Sequence, residues 1–252
     1  MHLWAVIVHA GMVEMRVAVI AGSIAGGLRI AREIENLPGV AVFVVVCNAG
    51  KRAPVLRWSR ELLLAFRSFK WRMLATTGYR YAQLRKLIIL GGRLDDETSI
   101  EHLRELQCDV GLHAANVIYR EPVISAFRLG ILNAHIGILP KYRGRCVAEW
   151  SVLQGDPTGE TVFFIDSGID TGDRIVLREV IPSKGWKSAR ALKNMLFACD
   201  ARLYRKALET LMSSEFSLQS NDTSKGQRYY VMSRLFTKAV NKILATTPVT
   251  SG

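Results

Sequence analysis

The chain has 252 residues, of which 49% are hydrophobic and 22% charged, with a formal net charge of +12. That profile excludes a disordered chain, and the length accommodates one or two domains with a substantial core. No apolar run approaches the roughly 20 residues of a membrane-spanning helix, and the basic balance points to an anionic partner: nucleic acid, phosphorylated substrate or anionic lipid surface.

Residues 1–15, "MHLWAVIVHAGMVEM", carry an apolar run with no basic region before it and no small-residue cleavage site, so they read as an N-terminal extension rather than a signal peptide. "RVAVIAG" then predicts a buried first strand, and "LRIAREIENL" a helix with a stripe of Leu28, Ile30, Ala31, Ile34 and Leu37. "VAVFVVVCN" is the continuous apolar run of a central parallel strand and completes a βαβ unit.

Between Lys51 and Arg93 stand eleven Lys or Arg and a single acid, Glu61. Within that segment residues 56–74 predict a helix, with Trp58, Leu62, Ala65, Phe66, Phe69 and Met73 on one face and Arg57, Arg60, Arg67 and Lys70 on another. Leu64 and Trp71 fall among the basic side chains, which suits a partner surface such as a membrane or a nucleic acid. A solvated basic face is the plainer alternative.

Further on, "SIEHLRELQ" predicts a helix, "CDVGLHAAN" a strand, "EPVISAF" a short helix and "LGILNAHI" another strand. After "PKYRGRCVAEWSVLQGD", a loop entering a helix, "GETVFFID" and "DRIVLREV" predict two strands joined by the acidic, Gly-containing "DSGIDTG". "SARALKNMLFACDARLYRKALETLM" reads as a long helix and "SLQSNDTSKGQ" as a polar linker. "RYYVMSRLFTKAVNKIL" closes the pattern as a basic helix with Tyr229, Met232, Phe236, Ala239 and Ile243 on its stripe, a face that must be buried on the chain's own core or in a homo-oligomer. The fold class expected is α/β, a Rossmann-like, mostly parallel sheet flanked by helices. The expected division is an extension over 1–15, a catalytic domain over 16–212, and a linker with a short helical tail over 213–252. Cys47, Cys108, Cys146 and Cys199 are far apart and share no C-x-x-C spacing, which argues against zinc and against a disulfide framework and makes a reducing cytoplasm the expected compartment.

Asn133, His135 and Asp170 are the suggestive polar group. Asn133 and His135 stand two apart on a predicted strand and therefore share a face. An amide can hold an oxyanion, and a carboxylate near an imidazole fixes its tautomer, an inventory suited to acyl transfer without a nucleophilic residue. Taken singly, Asn-x-His also suits a turn, and the Asp a loop cap.

Together, "NAHIGILPKYRG" and "GETVFFIDSGIDTGDRI" resemble the catalytic core of the folate-dependent formyltransferases, with the close match over roughly residues 109–180. The resemblance implies that Asn133 holds the formyl oxygen of 10-formyltetrahydrofolate, His135 manages the proton of an attacking amine, and Asp170 orients the imidazole. It implies folate contacts at Ala115, Asn116, Val117, Ile118, Asp166, Gly168 and Ile169, acceptor contacts at Tyr142, Arg143, Gly144 and Arg145, and no metal. Ile136 and Gly137 depart from the Pro and Ser the family often has after the histidine.

The resemblance also orders the acceptors. "AGSIAGGLRI" lacks the Asn of the phosphate loop of glycinamide ribonucleotide enzymes. The forty residues after Met212 are fewer than the C-terminal barrel of methionyl-tRNA formyltransferases, and the fifteen before the first strand are fewer than a hydrolase's regulatory domain. Trp150, shortly after Arg143-Gly144, is similar to the arrangement in amino-sugar N-formyltransferases. A nucleotide-linked amino sugar is therefore the expected acceptor. The alternatives are glycinamide ribonucleotide, methionyl-tRNA, hydrolysis of the formyl folate, or a non-catalytic RNA-binding member of the fold.

Overall fold

A computed structural model describes residues 14–47 and 86–246 of the chain. The helix expected over 56–74, most of the basic segment and residues 1–13 of the expected extension lie outside the described residues. Two compact units divide the chain, the first running to Leu132 with residues 212–214, the second covering Asn133–Leu211 and everything from Glu215 onward.

The first unit is a parallel α/β layer. Its strands are β1 (Met15–Ala21), β2 (Val40–Val46), β3 (Leu87–Ile89), β4 (Val110–Ala114) and the opening half of β5 (Gly130–His135), in the spatial order β3-β2-β1-β4-β5. β1 and β2 pair in register from Met15↔Val40 to Ala21↔Val46. β2 is buried at every position, the reason its sequence is continuously apolar instead of alternating. Helix α1 (Ile24–Ile34) connects them, capped by the Ser23 side chain, which accepts from the Gly26 N–H. Gly27 lets this helix lie against the sheet, since a Cβ there would come within 2.5 Å of Val44 Cγ1. Helices α2 (Glu97–Glu105) and α3 (Glu121–Ile124) make the next two crossovers. Asp109 fixes the entry to β4 by accepting from the Arg16 N–H and from Arg128 Nε at 2.8 and 2.6 Å.

The second unit begins with the end of β5 and adds β6 (Tyr142–Gly144), helix α4 (Val147–Leu153), β7 (Gly159–Phe164), β8 (Arg174–Val180) and the long helix α5 (Ala189–Met212). Then come β9 (Gln219–Ser220), a 3-10 turn at Thr223–Lys225, β10 (Gln227–Tyr229) and helix α6 (Arg234–Thr246). β7, β8 and β9 pair antiparallel in that order, while β6 and β10 form a separate parallel pair. The chain is thus an α/β protein with a mostly parallel sheet and flanking helices, as its sequence pattern predicts. Among the described residues no helix is long and apolar enough to cross a membrane.

Several expectations need correction. Met15, assigned to the extension, opens β1 and donates its N–H to the Gly39 carbonyl at 2.7 Å. β3 lies in the part of the basic segment to which no element is assigned, and β6 inside a stretch read as loop. The polar linker contains β9 and leads into β10, and the last helix starts at Arg234 instead of Arg228. Tyr229 and Met232 therefore precede the helix, both buried, and its own buried positions are Val240 and Leu244. The cause is the pairing of Gln227–Tyr229 with Tyr142–Gly144, a backbone contact that period-counting along the chain cannot detect.

Candidate active site

The end of β5 carries Asn133 and His135, and the turn between β7 and β8 carries Asp170. His135 is 6% exposed. Its Nδ1 lies 3.5 Å from Asp170 Oδ1, and its Nε2 lies 2.9 Å from the Tyr142 carbonyl oxygen. The ring therefore stands between two acceptors. A ring with hydrogen on both nitrogens satisfies both, and a neutral ring satisfies one.

Gly137 makes this enclosure feasible. A Cβ there would sit 2.8 Å from His135 Nε2, 2.9 Å from the Tyr142 carbonyl oxygen and 3.0 Å from Val147 Cγ2. The departure from the family pattern at this position thus coincides with close packing over the imidazole. Asn133 differs from its neighbour in being half-buried, and its amide has no hydrogen-bond partner among the described residues. The Ala134 N–H between them donates to the Tyr204 hydroxyl of α5 at 3.0 Å, which anchors the strand end.

Asp170 is held from three sides. Its φ of 54° is left-handed, its Oδ2 accepts from the Gly144 N–H at 2.9 Å, and its carbonyl accepts from Asn221 Nδ2 at 3.2 Å. The same Asn221 amide donates to the Gly172 carbonyl at 3.0 Å. A left-handed Asp needs such outside support. Asn221 is only 3% exposed and lies in the stretch expected to be linker, so no local signal marked it as a partner of a residue about fifty positions away.

The other expected site residues divide into engaged and open. Asp166 builds the turn itself, accepting from the Gly168 N–H at 2.9 Å and from Thr171 Oγ1 at 2.7 Å. A Cβ at Gly168 would meet Thr171 Oγ1 at 1.9 Å, so a larger residue there would displace the hydroxyl that bonds Asp166. Ile169, beside it, is exposed. In the first unit, Ala115 is buried while Asn116 and Ile118 are exposed and Val117 intermediate. Tyr142 is core: it is fully buried, its hydroxyl donates toward Asp156 and Gln154, and its ring stacks on Tyr229 at 5.2 Å. Burial, and after it the Asp156 carboxylate, push the Tyr142 hydroxyl up from its ordinary value. Asp156 is held down by Lys141 and then by Tyr142. Arg143 is engaged too, donating from a terminal guanidinium nitrogen to the carbonyls of Thr223 and Gly226 at 3.1 and 3.5 Å. Gly144, at φ 99°, lies where a Cβ would come within 2.3 Å of the Tyr229 carbonyl oxygen. Arg145 alone of the four acceptor candidates keeps an exposed side chain.

A family model for formyl transferase matches residues 75–208, more than half of the 252 residues and the stretch that holds Asn133, His135 and Asp170. The chain belongs to the formyl transferase family. Among its curated relatives, a methionyl-tRNA formyltransferase of Parabacteroides distasonis is 34% identical over 124 residues, 49% of this chain and 38% of that protein. The chain spans about two fifths of the length of that relative. A sugar N-formyltransferase from a Shewanella species shares the fold with a TM-score of 0.58 at 14% identity, over 91% of this chain and 87% of that one. A phosphoribosylglycinamide formyltransferase from Anaplasma phagocytophilum shares it with a TM-score of 0.57 at 18% identity, over 86% and 100%.

Proposed function

We propose that this formyl transferase moves the formyl group of 10-formyltetrahydrofolate to a primary amine. The observation that carries the reading is the uncommitted amide of Asn133 beside an enclosed His135–Asp170 pair. The Asn133 N–H meets the formyl oxygen as the amine nitrogen bonds to the formyl carbon and negative charge gathers on that oxygen. One preorganised donor of this kind contributes about 2.7 to 4 kcal/mol to the transition state. With its ring hydrogen on Nδ1 toward Asp170, neutral His135 receives the amine proton on the free lone pair of Nε2, which can then donate to the Tyr142 carbonyl or pass the proton on. The proton then leaves with the folate nitrogen as the old carbon–nitrogen bond breaks. Asp170 fixes the ring throughout, and its own position is set by Gly144 and Asn221. The exposed Ile169, on the same turn as Asp170, is an apolar surface offered to the folate.

The acceptor we favour is a nucleotide-linked amino sugar. Arg143 is occupied by backbone carbonyls, so of the two arginine candidates the one left to meet a diphosphate, apart from the basic segment from Lys51 to Arg93, is Arg145, one residue from the Gly144 N–H that holds Asp170. Amino-sugar nucleotides, glycinamide ribonucleotide and methionyl-tRNA, each offered with 10-formyltetrahydrofolate, separate the classes. Arg145→Ala should raise KM for the preferred acceptor about tenfold or more and leave kcat nearly unchanged, since a remote charge-assisted contact is uniform binding. Equal formylation of an uncharged amine, with KM unmoved by Arg145→Ala, would eliminate the nucleotide-sugar acceptor and leave formyl transfer itself intact.

A further inference from the structure

We propose that the C-terminal face of the second unit, from Arg228 to Lys242, docks on an anionic lipid surface. Tyr230, Val231 and Leu235 are 66%, 64% and 74% exposed, an apolar cluster at the junction of β10 and α6. The cluster is presented on a fixed base. Met232 is buried between these residues, and Trp150 Nε1 donates to the Tyr230 carbonyl at 3.0 Å. Val240 and Leu244 bury the opposite side of α6.

Charge selects the partner. Residues 223–246 contain Lys225, Arg228, Arg234, Lys238 and Lys242 and no acid. Lys225 pairs with Asp222 at 3.2 Å, and no carboxylate pairs with the other four among the described residues. Arg228 lies over the Tyr230 ring at 5.4 Å, a cation beside an exposed aromatic. Helical spacing sets Leu235, Lys238 and Lys242 on one side of α6. The nearby acids are already compensated, Glu149 by Lys193 at 2.7 Å and Asp156 by Lys141 at 2.5 Å. A second copy across a two-fold axis would bring four unpaired cations against four more, an arrangement that costs association. A nucleic acid would satisfy the cations and leave Val231 and Leu235 without an apolar partner, since its recognition uses stacking and charge. Aliphatic side chains surrounded by lysine and arginine match the boundary between anionic headgroups and acyl chains.

The test is flotation of the intact chain with vesicles of phosphatidylglycerol and, separately, of phosphatidylcholine, at low and high salt. Binding is expected only to phosphatidylglycerol, weakening with salt. It should fall at least about tenfold in Val231→Glu/Leu235→Glu and about fivefold for each basic residue removed in Arg234→Gln/Lys238→Gln, with melting unchanged. Should the glutamate pair melt early, Val231→Ser/Leu235→Ser carries the same comparison. Three results would overturn the proposal: no flotation with phosphatidylglycerol, flotation unaffected by either pair of substitutions, or a dimer in solution that the Val231/Leu235 substitutions dissociate. RNA binding that ignores the aliphatic substitutions, in the absence of vesicle binding, would assign the face to a nucleic acid instead.

Discussion

Asn133 and His135 are neighbours with opposite commitments: the imidazole is enclosed by Asp170, Tyr142 and Gly137, while the amide has no hydrogen-bond partner among the described residues. Asn133→Ala should therefore reduce kcat by about 10² to 10³ and leave melting nearly unchanged, because only the transition state loses a bond. A large drop in melting temperature would show instead that the amide is part of the fold. Glu160 of β7 poses a different problem. It is fully buried, and burial followed by the charge of and hydrogen bond with the Asp200 carboxylate holds it far above the ordinary carboxylate range, with Glu179 adding to the shift and Arg202 opposing it. Its folded value exceeds its unfolded one, so the stability it allows is complete below the unfolded value near 4.5 and is lost as pH rises toward the raised folded value. Glu160→Gln, neutral throughout, should melt above the wild type at about pH 8 and approach it at about pH 5. Parallel pH profiles for the two proteins would contradict that assignment.

The C-terminal elements do more for the site than a tail would. β10 pairs with β6, and Tyr142, Tyr229, Trp150 and Phe236 follow one another at 5.2, 5.4 and 5.7 Å between ring centroids. The carbonyl that faces His135 belongs to Tyr142, so this ladder supports the imidazole's enclosure. Truncation before Arg228 removes the buried Tyr229, Met232, Val240 and Leu244. At about 1.5 to 3 kcal/mol for each large apolar side chain, the shortened protein should be severely destabilised or fail to fold. Unchanged melting after truncation would show that these elements are dispensable. Here the sequence was legible only in part. The apolar spacing announced that Tyr229 and Met232 are buried, and it misassigned the element because a three-residue strand has too few positions to display an alternation. Asn221 was illegible for a related reason. A polar residue in a Ser- and Asp-containing stretch looks like solvent-facing loop, and its bonds to the carbonyls of Asp170 and Gly172 arise only when distant segments meet.

For the molecule, the parallel first unit apart from β3 was plain in the sequence because buried strands such as Val40–Val46 are uniformly apolar and alternate with helical stripes, whereas the three residues of β3 are too few and too little buried to show. The second unit's antiparallel β7 and β8 were equally visible, because the Asp-Gly turn between them punctuates two apolar runs. What the family resemblance does not supply is the commitment of each side chain: it implies acceptor contacts at Tyr142 and Arg143, and in the structure the Tyr142 hydroxyl bonds Gln154 while Arg143 donates to the Thr223 carbonyl. The central claim is that this chain transfers a formyl group through Asn133 and His135. It is tested most directly by supplying 10-formyltetrahydrofolate labelled with carbon-13 in its formyl group, together with each candidate amine, and following the label by NMR. The account predicts that the label moves to one amine, one formamide for each tetrahydrofolate released, and that Asn133→Ala slows the transfer by about 10² or more. Label that reaches no amine, or that is released as formate equally fast in the wild type and in Asn133→Ala, would contradict it.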